Sequence, residues 1–265
     1  MSAVLPTRSV SKPWGRDALP APFAAPPPGE HIGEIWFEPP PELRQLLVKY
    51  IFTSEKLSVQ VHPSDAQAPG RGKAECWLVI DAQPGAQLGI GFTGALDAAA
   101  MRAAALDGSI EALMVWHPVK AGDFFYIPAG TVHAIGAGVS LIEVQQNSDT
   151  TYRLFDYGRP RPLHLDEAVA VADGRPYETA LHWPLPEAGH VTLVEGPHFR
   201  LDRVWGTPGP AVTRRYKGAL LVLPREGMAR IGGEAIAPGQ CGFAPSLDAV
   251  DFAPDGHCLI AQPCE

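Results

Sequence analysis

Positive charge is what this chain is short of: 21 Lys and Arg stand against 29 Asp and Glu over 265 residues, a formal net charge of −8. That excludes a nucleic-acid surface built on overall basicity, which works by neutralising phosphates with excess cations. Any anionic ligand must be held by a local basic cluster. Long apolar runs are missing too. Charge, proline or glycine interrupts each stretch well before the ~18 residues a membrane helix needs, as where Arg102 breaks the run Ala98 to Ala105. The chain therefore reads as soluble. Met1 to Pro28 has no basic start followed by an apolar block, so no secretory signal and a cytoplasmic location are expected. Cysteine is scarce, and Cys76, Cys241, Cys258 and Cys264 form no C-x-x-C pair, which argues against a zinc ribbon or a disulfide framework.

Glycine and proline are plentiful, at 27 and 28 residues, while 46% of the chain is hydrophobic. That combination predicts turn-rich β structure and excludes long helical bundles. Residues 1–30 read as an arm, Pro-rich from Ala21 to Pro28. Short β-rich runs follow at Glu34 to Phe37, Leu46 to Phe52, Leu57 to His62, Trp77 to Asp81, Phe124 to Ile127 and Val139 to Gln145. Their spacing predicts a sandwich or barrel over residues 31–160. The Ala-rich stretch Leu96 to Met114, broken at Asp107-Gly108, predicts two short helices. Residues 161–190 read as a linker with a short helix at Asp166 to Ala172. A second strand set over residues 191–265 covers Val191 to Val194, Phe199 to Val204, Ala219 to Leu223, Gly242 to Ala244 and Cys258 to Ala261. The two sets share an echo, Gly122-x5-Pro128 and Gly239-x5-Pro245. Five residues beyond the proline stands His133 in the first copy and Val250 in the second, so the second copy reads as a metal-free packing domain.

Alternation in Leu57-Ser58-Val59-Gln60-Val61-His62 puts Gln60 and His62 on one face of a strand. Glu75 stands at the entrance to the next apolar strand, and His133 follows the turn Pro128 to Val132. Two imidazoles and a carboxylate suit Zn²⁺; an amide oxygen is a harder, weaker ligand that can yield to substrate. Such a site, carrying about +1 of formal charge, favours an anionic oxygen. Taken singly these residues say little. A strand histidine is more often satisfied or exposed than a ligand, and Glu75 beside Lys73 is more often half of a surface ion pair. The other histidines, at 31, 117, 164, 182, 190, 198 and 257, read as structural or solvated.

In combination the residues carry more. Gly122-x5-Pro128-x-Gly130-x2-His133 resembles the second cupin motif, and Gln60-x-His62 with Glu75 resembles the first motif of the type I phosphomannose (mannose-6-phosphate) isomerases in a short bacterial form. The similarity extends over Lys12-Pro13-Trp14-Gly15, Leu57 to Pro63, Gly72 to Trp77, and Ala121 through Gln146-Asn147-Ser148-Asp149-Thr150-Thr151-Tyr152-Arg153. It implies an all-β fold with a few short helices, built of two cupin-like jelly-roll barrels. It implies one zinc, or another divalent metal, per chain on Gln60, His62, Glu75 and His133. It also implies an essential arginine at Arg153, an accompanying basic residue at Arg159, an active-site lysine at Lys73 and an acid/base glutamate at Glu143. The implied partner is a small sugar phosphate, with no nucleic acid and no membrane.

The implied reaction is aldose–ketose isomerisation of mannose 6-phosphate to fructose 6-phosphate through an enediol, with zinc as Lewis acid and Glu143 or Lys73 moving the proton. Arg153, with Arg159 or Lys73, would bind the phosphate. The chain has no room for the helical insertion of the larger family members, and the loop Pro63 to Gly72 is short. Two other readings compete. A non-catalytic sugar-phosphate-binding bicupin would keep the pocket without needing Glu143 and Lys73. A cupin dioxygenase would expect His-x-His where Gln60-x-His62 stands, and has no use for Arg153.

Overall fold

A strand covered on both faces shows no polar alternation. Leu46 to Phe52 is such a strand, buried at every position, Lys49 included. It lies at the centre of the first unit of the computed structural model, which describes residues 3–264. That unit holds β1 (Thr7–Arg16), β2 (Ile32–Phe37), β3 (Leu46–Phe52), β4 (Val59–Val61), β5 (Glu75–Ala82), β6 (Gln87–Phe92), β7 (Met114–Pro118), β8 (Asp123–Ile127), β9 (His133–Ile135), β10 (Val139–Gln146), β11 (Tyr152–Phe155) and β12 (His182–Pro184). The second unit holds β13 (Val191–Glu195), β14 (Phe199–Trp205), β15 (Leu220–Glu226), β16 (Ala229–Ile231), β17 (Glu234–Ile236), β18 (Gly242–Ala244), β19 (Val250–Phe252) and β20 (His257–Pro263). Four short helices accompany the strands: α1 (Ala98–Asp107), α2 (Ile110–Leu113), α3 (Leu165–Val171) and α4 (Pro210–Arg215). The fold is thus all-β with a few short helices.

In the first unit a seven-stranded sheet, β1-β2-β3-β10-β5-β8-β12, faces a five-stranded sheet, β11-β4-β9-β6-β7. Between them lie Trp14, Ile51, Trp77, Leu88, Ile90, Phe125 and Leu141. The outer face of the larger sheet is apolar as well. There Tyr50, Phe52, Leu78, Phe124, Ile142 and Val144 pack against Leu201, Leu221, Leu223 and Leu259 of the second unit. This double covering explains why β3 and β10 read as nearly continuous apolar runs. The second unit's sheets, β13-β14-β20-β15-β18 and β17-β16-β19, enclose Val204, Val222, Ile231, Ile236 and Ile260, so its interior is filled by apolar side chains. On the outer side of the five-stranded sheet, Met101 and Ala104 of α1 and Ala168 of α3 cover Val59, Val61 and Leu154. Helix α1 starts where Asp97 caps Ala100 N–H at 2.8 Å and stops at Gly108, φ 81°.

Thr7–Arg16 departs from the expected arm: it is the edge strand of the seven-stranded sheet, antiparallel to β2. Its outer residues are exposed and it carries Pro13, which an edge strand tolerates, so it lacks the apolar signal of the inner strands. Trp14, 3% exposed, is its apolar anchor in the core, and the buried Arg16 donates through Nε to the Thr53 carbonyl at 3.1 Å. The echoed glycines, Gly122 and Gly239, both take positive φ, 92° and 86°, ahead of β8 and β18. His133 and Val250 then open β9 and β19, equivalent places in the two units.

Gly136 closes β9 by bringing its backbone against Gln87: its N–H donates to Gln87 O at 2.9 Å, and a Cβ would lie 2.2 Å from that oxygen. Gly136→Ala is therefore expected to cost roughly 1–3 kcal/mol, the usual price of overpacking. Urea unfolding measures it, and an unchanged midpoint would refute the close-approach account.

Candidate metal centre and active-site cavity

The pleat of β4 turns Gln60 and then His62 inward while Val59 and Val61 pack under the helices. His133 pairs with Gln60 across β4 and β9, and Glu75 opens β5. These strands bring donor atoms of His62, Glu75 and His133 within 4.8 Å of one another, all three residues buried. Each imidazole is oriented from behind. His62 Nδ1–H donates to the Thr150 carbonyl at 2.8 Å, and His133 Nδ1–H to the Thr131 carbonyl at 2.9 Å. A carbonyl only accepts, so the proton sits on Nδ1 and the Nε2 lone pair points inward. The two Nε2 atoms lie 3.4 and 3.5 Å from the two oxygens of Glu75.

Burial pushes the His62 pKa well below the ordinary histidine value, and the Lys73 charge pushes the same way. Burial also lowers His133, against the pull of Glu75. Both rings are neutral near pH 7, the state that binds a metal. Burial alone would raise Glu75, but the Lys73 ammonium, by its charge and its hydrogen bond, holds it below the ordinary carboxylate value. The donors already converge on one cation: Lys73 Nζ lies 2.9 Å from Glu75 Oε2 and 3.1 Å from His62 Nε2. Two neutral imidazoles and one carboxylate around a common point fit a zinc ion. Gln60 stands beside the cluster with its amide turned the other way. Its Nε2 lies 3.3 Å from His133 Nε2 and its Oε1 accepts from Ser58 Oγ–H at 3.0 Å. Rotation of the amide exchanges the two ends, and the Ser58 hydroxyl, donor and acceptor at once, satisfies either.

Next to the cluster opens a narrow cleft of about 90 Å³. Of the expected residues, Gln60, Lys73, Glu143 and Arg153 line it. The sheet adds an alternating row of charges that composition did not announce. Lys49 Nζ lies 2.9 Å from Glu143 Oε1 and 3.5 Å from Glu34 Oε1, and Lys73 Nζ lies 3.6 Å from Glu143 Oε1. Trp77 Nε1 donates to the other Glu143 oxygen at 3.0 Å. Burial alone would lower Lys49, but Glu143 and Glu34 raise it above the ordinary lysine value. Around the cleft Lys12, Lys49, Lys73, Arg153 and Arg161 meet Glu34 and Glu143, with Glu75 behind Lys73 and Asp156 behind Arg161, which leaves one positive charge over on an acidic chain.

The arginines divide sharply. Arg159 is absent from the cleft wall, because its guanidinium is taken by Asp156 at 3.1 Å, Glu55 at 2.8 Å and the Lys56 carbonyl at 2.8 Å. The expected accompanying basic residue thus does not line the cleft. Arg161 lines the cleft instead, with its guanidinium bidentate on buried Asp156 at 2.6 Å for each bond. Arg153 has no carboxylate within ion-pair distance among the described residues, and its Nε is buried without a hydrogen bond. Burial and the Arg161 charge lower its pKa, opposed by Asp156. Its charge lacks a counter-ion, and an anion in the cleft would supply one. The sequence did carry a signal for the overlooked Lys49, the one charge in the apolar run Leu46 to Phe52. For Arg161 over Arg159 there was none, since Asp156 binds both.

No protein-family model matches the chain. It is 38% identical over 212 residues, 74% of its own length and 67% of the relative's, to a mannose-6-phosphate isomerase of Bacillus subtilis. Among solved structures it resembles the mannose 6-phosphate isomerase from Bacillus subtilis, with a TM-score of 0.73 and 26% identity over 98% of this chain and 99% of that one. At 15% identity, a zinc-bound mannose 6-phosphate isomerase shares the fold, with a TM-score of 0.72 over 99% of each chain.

The lowered histidine values set a pH dependence. Below the ordinary value of 6.5 the unfolded chain takes up protons on His62 and His133 that the folded protein refuses, so metal-free stability falls as the pH drops through that value. His62→Gln removes one such group. Its unfolding free energy should fall less than that of the parent chain between about pH 7.5 and about pH 5.5, where unpaired imidazoles titrate. Equal losses in chelator-treated urea titrations would contradict the assignment.

Proposed function

Because the chain belongs to the mannose-6-phosphate isomerase family, we infer that it interconverts mannose 6-phosphate and fructose 6-phosphate with zinc as its cofactor. The observation that carries this reading is the placing of two back-anchored neutral imidazoles and a carboxylate beside a cleft that holds an arginine without a carboxylate partner. The reaction moves one proton between C1 and C2 of the open-chain sugar. It therefore needs a group to take and return that proton and a field that steadies negative charge on two oxygens. Zinc, held by His62, Glu75 and His133 with the turned Gln60 amide, supplies Lewis-acid polarisation of those oxygens when bound.

The chain's own groups divide the remaining work. Glu143 is the proposed base: Lys49 Nζ and Trp77 Nε1–H each hold one of its oxygens, which fixes where the carboxylate stands. Lys73, between Glu143 and Glu75, places an ammonium beside the developing enediolate. Arg153 takes the phosphate, spending binding energy far from the reacting carbons to align them. Residues 31–160 carry the catalysis in this reading, 161–190 connect, and 191–265 form a metal-free second barrel, a division supported by the apolar filling of that unit. No helix among the described residues is long and apolar enough to cross a membrane, and we place the enzyme in the cytoplasm, where hexose phosphates are made and used.

Purified protein should form fructose 6-phosphate from mannose 6-phosphate, lose the activity on chelation and regain it with zinc. Arg153→Ala should raise KM by about 10–100-fold, the worth of a charge-assisted hydrogen bond or two. Glu143→Gln should lower kcat by about 10²–10⁴ with the fold intact. A folded, zinc-loaded sample with no turnover would move the reading to a sugar-phosphate-binding protein.

A further inference from the structure

Arg153 lies in β11, an edge strand whose one neighbour is β4. The ladder to β4 slips between Arg153 and Phe155, so pairing on that side holds this stretch irregularly. On the open side of the strand, the Arg153 N–H and C=O are both met by a single residue, His164. The His164 N–H donates to Arg153 O at 2.8 Å, and the Arg153 N–H donates to His164 Nδ1 at 3.2 Å. An imidazole nitrogen thus stands where a neighbouring strand would offer a carbonyl. A backbone N–H can only donate, so Nδ1 is the acceptor and the ring proton sits on Nε2. His164 is itself fixed, because its carbonyl accepts the Ala168 N–H at 2.8 Å at the start of α3.

We propose that His164 is a positioning residue for the isomerase: its Nδ1 holds the Arg153 backbone and thereby aims the guanidinium at the phosphate of the substrate. This rests on Arg153 being the phosphate ligand. With no carboxylate within ion-pair distance among the described residues, the Arg153 guanidinium takes its place in the cleft from its backbone rather than from a partner at its tip. A binding group on a long side chain must be held within about 0.5 Å and 10–20° to act, so one anchored N–H at its root matters. His164 touches neither the cleft nor the metal cluster, so its effect falls on binding and not on the proton transfer.

Leu and Asn have nearly the same shape, and Asn carries an acceptor, Oδ1, at the same distance from Cβ as Nδ1. In the zinc-loaded enzyme His164→Leu should raise both KM for mannose 6-phosphate and the inhibition constant of inorganic phosphate by about 3–10-fold, the range of one net hydrogen bond, with kcat within about twofold. His164→Asn should stay near the parent values, and His164→Ala replaces the Leu variant if that one melts early. Equal effects of Leu and Asn, or a change in kcat alone, would overturn the proposal. So would unchanged constants in His164→Leu while Arg153→Ala raises both. If Arg153→Ala leaves phosphate inhibition untouched, it is the phosphate assignment that fails, and the His164 proposal with it.

Discussion

A charge taken out of water has to be met by an opposite one, and the inner face of the large sheet meets this demand residue after residue. Glu34, Lys49, Glu143, Lys73 and Glu75 alternate in sign with gaps of 3.5, 2.9, 3.6 and 2.9 Å, every one of them buried. Removing any one would strand its neighbours, which costs several kcal/mol at such depth. The row also ties chemistry to register. Lys49, Glu143 and Trp77 stand directly opposite one another across β3, β10 and β5. A slip of one residue would turn Lys49 and Glu143 to the outer face, among Tyr50, Ile142 and the leucines of the second unit.

The same rule explains how an acidic chain makes a basic cleft. Asp156 is buried and absorbs Arg159 and Arg161, so two of the three arginines in this stretch are neutralised where they stand. Arg153 is left over. Its Nε is buried without a partner and it has no carboxylate, and an anion in the cleft would meet both needs. The metal donors are arranged on similar lines. Backbone carbonyls behind each imidazole fix which nitrogen carries the proton, and a lysine holds the open side.

Much of this could be read from the chain alone, wherever local pattern and chemistry coincide. The i, i+2 spacing of Gln60 and His62 implied a shared strand face because the pleat leaves no choice, and the Gly122 to His133 turn implied where the second histidine stands. The Ala-rich helices between Leu96 and Met114 and the second strand set were legible for the same reason. What stayed hidden depends on who meets whom across the fold. Thr7–Arg16 looks like an arm because its polar residues face water along a sheet edge. Arg159 and Arg161 are equivalent on paper, and only the placement of Asp156 and Glu55 removes the first from the cleft. His164 read only as structural or solvated, like the other remaining histidines, because a bond to a backbone N–H eleven residues earlier leaves no mark in sequence.

The outer face of the large sheet has a consequence for how the molecule can be taken apart. Tyr50, Phe52, Leu78 and Phe124 back the very strands that carry Lys49, Trp77 and Glu143, and the second unit is what keeps them dry. Cut away from residues 191–264, the catalytic barrel would present a broad aromatic sheet face to water, the kind of surface that seeks other copies of itself. The second unit is thus no appendage. It acts as a lining for the first, which is not a portable module.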